Sequence, residues 1–88
     1  MQRKEFTQLL AAEGFEEVVT VTRESDGFVD THTHPFEAKA LILSGELRIN
    51  TAMAEHIYRA GQVFHLRAGE PHAERYGPEG VVYLVGRK

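Results

Sequence analysis

The residues best suited to chemistry are histidines. The chain has five, and two stand one residue apart in His32-Thr33-His34-Pro35. On a β-strand, residues i and i+2 point to the same face, their Cα atoms ~6.5 Å apart. His32 and His34 can therefore aim two imidazoles at one point. A third, His72, follows in Gly69-Glu70-Pro71-His72. If a facing strand brings it to the first pair, three imidazole nitrogens converge. Neutral imidazoles suit a divalent Zn, Fe, Ni, Mn or Cu ion without selecting among them. Three protein ligands leave positions open for water or substrate, as catalytic metal sites do.

A barrel of short strands would supply that convergence. Residues 3–13 read as a helix, because Phe6, Leu9 and Leu10 follow i, i+3, i+4 spacing and Gly14 suits the position that ends it. So short a helix is marginal alone and must dock, either across a barrel opening or on a partner subunit. From Phe15 the texture is β, with Val18 to Thr22 all β-branched. Phe28 to His34 reads as the next strand, interrupted by Pro35. Ala38 to Leu43 is apolar but for Lys39, and Ser44-Gly45 reads as a turn. Leu47 and Ile49 then alternate with Arg48 and Asn50. Short strands at His56 to Arg59, Val63 to Leu66 and His72 to Tyr76 follow. Gly77-Pro78-Glu79-Gly80 reads as a turn before a last strand, Val81 to Val85. About eight short strands with glycine turns predict an all-β sandwich or barrel over residues 15–86.

Composition narrows the classes. Eighty-eight residues are expected to form a single domain, 1–88, with a thin core. Small domains often need disulfides, metals or oligomerisation. With no cysteine, a metal and a homodimer remain. A net charge of -3, with no basic stripe, argues against nucleic-acid binding. No apolar run approaches the ~20 residues that span a bilayer, and the N-terminus does not read as a signal peptide. A cytoplasmic protein without membrane or nucleic-acid partners is expected.

At this point the sequence resembles the cupin superfamily. Its first motif, G-x5-H-x-H-x3/4-E-x6-G, is met by Gly27, His32, His34 and Gly45, with four residues between Gly27 and His32. Its second, G-x5-P-x-G-x2-H-x3-N, is met by Gly61, Gly69 and His72. The resemblance implies a small jelly-roll barrel, all-β but for the short N-terminal helix, with His32, His34 and His72 pointing inward as metal ligands. Three positions depart. Arg67 stands for the proline, Tyr76 for the asparagine, and Ala38 where the family places a glutamate ligand. Glu37 is adjacent, but a one-residue offset on a strand turns a side chain to the opposite face unless a bulge intervenes.

The missing glutamate leaves an open three-histidine face. A bound ion would keep its full charge there and favour a small anionic ligand such as a carboxylate. The leading expectation is a cupin that binds a divalent metal and a small anionic molecule. One alternative is a metal-dependent enzyme of the dioxygenase or isomerase type, since some three-histidine cupins are thiol dioxygenases. Another is a metal-free sensor or binding module. Ala38, Tyr76, Glu37 and His65 are the candidates to line the site or contact its ligand. Tyr76 shares strand parity with His72, and could offer a phenol as hydrogen-bond donor or weak acid. His65 shares a face with Val63 and reads first as a surface or interface residue. His56 and Glu70 read as exposed, and Arg67 as a solvated turn residue that could meet an anion at the mouth.

Overall fold

A computed structural model describes Met1–Lys88 as one helix and six strands. Helix α1 spans Arg3–Ala12. The strands are β1 (Glu17–Arg23), β2 (Phe28–His32), β3 (Ala38–Asn50), β4 (Glu55–Arg59), β5 (Val63–Leu66) and β6 (His72–Arg87). All pairings are antiparallel.

The eight expected strands are six because two of the expected turns are bends. β3 continues through Ser44-Gly45, and β6 through Gly77 to Gly80. The two long strands pair from Ala38↔Arg87 to Asn50↔Ala73, with register shifts on either side of Ser44-Gly45. Gly45 and Gly80 both have positive φ, at 80° and 74°. A Cβ on Gly45 would fall 2.1 Å from the carbonyl oxygen of Gly80. Only glycine lets the two backbones bend together this closely.

The bend divides the molecule into two halves. In the first, β1 and β5 flank the segments Ala38–Gly45 and Val81–Arg87. In the second, β2 and β4 flank Leu47–Asn50 and Ala73–Tyr76. The inner faces share one core that includes Val21, Ala40, Ile42, Leu47, Ile49, Phe64, Tyr83 and Val85.

Helix α1 covers the outer face of the first half, neither crossing a barrel opening nor waiting for a partner subunit. Phe6 and Leu10 pack with Phe15, Leu41 and Leu84, and both helical side chains are fully buried. The chain leaves the helix through a paired closure. Phe15 N–H donates to the Leu10 carbonyl and Gly14 N–H to that of Ala11, with Gly14 at φ 84°. Phe15 packs on Leu10 just beyond that glycine, so the same turn that ends the helix seats it on the sheet. Lys39 bonds the Glu13 carboxylate at 2.9 Å, and Lys88 bonds the Glu13 carbonyl at 2.7 Å. No helix is long and apolar enough to cross a membrane.

Candidate metal centre

β2 and β6 are neighbours, and His32 lies directly opposite His72 in their register. The third arm thus comes from an adjacent strand. His34 lies just beyond the end of β2, before Pro35, yet its ring still reaches the other two. Ring centroids are 4.3 Å apart for His32 and His72, 4.8 Å for His32 and His34, and 5.1 Å for His34 and His72. One ligating nitrogen from each lies within 4.8 Å of the others. Phe36 stacks on His34 at 4.8 Å and holds its orientation.

Two of the rings are locked in the same way. His32 Nδ1 lies 2.7 Å from the Asp30 carbonyl, and His72 Nδ1 lies 3.0 Å from that of Glu70. A carbonyl only accepts, so each Nδ1 carries a proton and donates it. Each Nε2 is then left with a lone pair, the arrangement that orients ligating histidines. The Nε2 of His72 is buried without a hydrogen-bond partner, in a side chain only 1% exposed. A buried, unpaired acceptor costs about 1–3 kcal/mol. A metal at that point would satisfy it, so the residues present fit a divalent ion. Burial, and then the neighbouring His72 and His32, hold the His34 pKa below the ordinary histidine value. That keeps His34 in the neutral form that ligates.

The three rings open on a cavity of about 160 Å³ between the two halves. Ala38, Phe64, Leu66 and Tyr83 close its apolar side. Arg23 and Arg87 also line it and bring positive charge. Arg67 does not: it stays exposed in the turn before β6. Tyr76 lines the cavity, as strand parity requires. Burial, and then the Glu74 carboxylate, push its pKa up, while burial pushes that of Tyr83 much further. Both phenols stay protonated near neutral pH, so Tyr76 is a hydrogen-bond donor and a poor acid.

Two of the candidate residues lie elsewhere. Glu37 does not rotate into the cavity, because it exchanges backbone hydrogen bonds with Lys88 in step with Ala38 opposite Arg87, which leaves Ala38 facing in and Glu37 facing out. Its carboxylate faces outward, 2.5 Å from His65 Nε2 and 3.9 Å from Lys88 Nζ. His65 is exposed on β5, opposite Lys39, while its neighbours Phe64 and Leu66 point inward. Glu37 and His65 satisfy each other and neither lines the cavity. Ala38 does line it, and is buried. His56 is exposed, as expected, and the Glu70 carboxylate accepts from Arg67 N–H across its turn.

Sequence reasoning missed Glu74. It stands between His72 and Tyr76 at the same strand parity, so the signal was the alternation that placed Tyr76. Its Oε2 lies 3.5 Å from His32 Nε2 and 3.8 Å from His72 Nε2. The side chain is only 11% exposed. Arg23 and Arg87 were also missed, since neither belongs to a motif.

A shared pair of bent strands and two half-sheets define a cupin fold, and its inward histidine trio is a cluster that could hold a metal ion. The family profile described as "Cupin domain" matches residues 19–85, and the chain belongs to that family. No curated protein matches it in sequence. Among solved structures, it resembles an RmlC-like cupin from Shewanella frigidimarina at 17% identity and a TM-score of 0.69, over 80% of this chain and 62% of that one. A protein of unknown function from Rhizobium leguminosarum is also 17% identical, with a TM-score of 0.76 over 80% of this chain and 66% of that one. An uncharacterised conserved protein from Klebsiella pneumoniae, with a double-stranded β-helix domain, is 20% identical at a TM-score of 0.67, over 80% and 64%. The chain thus spans slightly less than two thirds of each. At such identities the likeness carries the fold, and function must be argued from the site.

Proposed function

We propose that the protein binds one divalent metal ion through His32, His34 and His72, together with a small anionic molecule in the adjoining cavity. The observation that carries this is the buried, unpartnered Nε2 of His72, beside a His32 locked in the same tautomer. The lowered pKa of His34 supports it. A metal held there would supply a Lewis-acidic centre. The chain's own residues fix the ring orientations, exclude bulk water on the Phe64 and Leu66 side, and present Tyr76 as a hydrogen-bond donor to whatever enters.

The size and lining of the cavity support the second half of the reading. About 160 Å³ is below the ~300 Å³ where pockets for drug-sized ligands begin. It has room for only a few heavy atoms. Arg23 and Arg87 would attract a carboxylate or similar anion.

Elemental analysis of the purified protein tests the metal. Wild type is expected to carry a stoichiometric divalent ion, and His32→Ala and His72→Ala to lose it. Wild-type metal content in both variants would overturn the three-histidine site. Titration of the metal-loaded protein with short-chain carboxylates tests the ligand. Saturable binding that weakens in Arg87→Ala is expected, and no binding across a panel of small anions would remove that half.

A further inference from the structure

We infer that Glu74 is the fourth protein ligand of this centre, its carboxylate reaching the metal from β6 where the family pattern would place a glutamate at position 38 on β3. This rests on the three-histidine reading and adds to it a donor that no motif assigns.

Geometry is the first support. The separations from Glu74 Oε2, 3.5 Å to His32 Nε2 and 3.8 Å to His72 Nε2, are too long for hydrogen bonds. They are right for atoms sharing an ion. Nitrogen and oxygen ligands sit ~2.0–2.2 Å from a metal such as zinc, so two of them on one ion can be up to about 4.2 Å apart. Both separations fall within that span.

The proton inventory is the second. Both Nδ1 atoms donate to backbone carbonyls, so both Nε2 atoms face Glu74 as lone pairs. A carboxylate oxygen facing two lone pairs, with no proton between, is repulsive. His72 Nε2 is buried and unpartnered at this point. Glu74 has no lysine or arginine within 4.0 Å, and its ion-pair contacts are these two rings alone. A carboxylate this sheltered needs a cation. A divalent ion between the three groups answers both demands at once.

Position 38 is the third. Ala38 lines the same cavity as Glu74, and its methyl group offers no ligand there. A carboxylate from β6 can take that role. His72-Ala73-Glu74 then provides two donors from alternate positions of one strand, as His32-Thr33-His34 does from the first segment. The centre gains back the negative charge that Ala38 removed.

The full chain, stripped of metal and titrated with Co(II), tests this. The affinity and the visible absorption of bound cobalt, which reports its ligand set, are both read. Glu74→Gln is expected to weaken Co(II) binding by more than the ~10–100-fold that losing an outer partner costs, and to change the cobalt spectrum. Glu74→Asp keeps the charge but shortens the reach, so ligation predicts weaker binding and an altered spectrum there too. Ala38→Glu in the Glu74→Gln background is expected to recover most of the affinity. Wild-type affinity and spectrum in both Glu74 variants, with binding lost in His72→Ala, would overturn the Glu74 assignment and leave the histidine site standing. Wild-type binding in His72→Ala would overturn the site beneath it.

Discussion

Strands β3 and β6 run through both halves of the molecule, and the two halves treat them differently. In the first half they are buried on both faces. Ala38, Ala40 and Ile42 point into the core, while Leu41 and Leu84 lie under the helix. In the second half the same two strands are buried on one face. Leu47 and Ile49 point inward, while Arg48 and Asn50 are exposed between them. Glu46 on β3 pairs with Arg59 of β4 at 3.2 Å. The proposed metal centre lies against this singly covered half, with His72 and the inferred ligand Glu74 on β6 and His32 on β2. The doubly covered half supplies apolar burial and a fixed wall. A small domain has little stability to spend on unpaired polar groups. Here the donors are confined to one half, and the core that offsets them is concentrated in the other.

The joint between the halves is the place to break this arrangement most severely. Gly45→Ala would force a side chain into a left-handed backbone position and against the Gly80 carbonyl. The conformational cost is ~1–2 kcal/mol and the overpacking cost ~1–3 kcal/mol, at least about 2–5 kcal/mol together with a backbone oxygen as the obstacle. Denaturant unfolding of the metal-free protein is expected to show most of its stability gone. A midpoint close to wild type would mean that the shared bend is not what sets the halves face to face.

A cut confined to the covered half should cost less and leave the centre alone. Leu10→Ala removes a fully buried side chain from between α1 and the sheet. A leucine-to-alanine change in such a site costs about 2–5 kcal/mol, toward the lower end where the neighbours can settle into the gap. The melting temperature is expected to fall clearly, while the metal affinity of the folded fraction, measured by Co(II) titration at low temperature, stays within a few-fold of wild type. Loss of affinity in step with stability would mean that the two halves are not separable in the way their burial suggests.

The contrast between the halves is partly written in the sequence. An unbroken apolar run over residues 40–43 signals double burial, and Leu47-Arg48-Ile49-Asn50 signals single burial. The histidine trio was legible from type and spacing, because period-two geometry and the glycine spacings both point to it. The glycines marked the bends at Ser44-Gly45 and Gly77 to Gly80 correctly but not their nature. Glycine permits a left-handed residue in a reversing turn and in a continuing bent strand alike, and only pairing to a partner strand decides between them. Glu74 was passed over because its two distances depend on which strand lies beside β6. Arg23 and Arg87 reach the cavity for the same reason, from strands far apart in the chain. The helix had an apolar stripe that demanded a partner, but a stripe does not say which surface it will meet.

The smallest effect is expected at Glu37, the residue nearest in sequence to the position that the family fills with a ligand. It and Glu74 are both carboxylates beside histidine, one outside the fold and one inside it. The hydrogen bond from His65, helped by Lys88 and Lys39, holds the Glu37 pKa below its ordinary value of 4.5. A carboxyl group with a lowered folded pKa contributes stability above its unfolded pKa. That contribution fades as pH falls and the unfolded chain takes up the proton first, and it is gone once the folded carboxylate is protonated too. Glu37→Gln is therefore expected to lower the melting temperature slightly at pH 7, as solvent-exposed pairs do. The gap from wild type should close as pH drops below 4.5. Metal affinity should not change at any pH where wild type binds, because the side chain lies on the outer face of the sheet. A weaker Co(II) site in Glu37→Gln would mean that the carboxylate turns inward after all. The start of β3 would then be shifted by one residue, and the division of labour between Glu37 and Glu74 would be reversed.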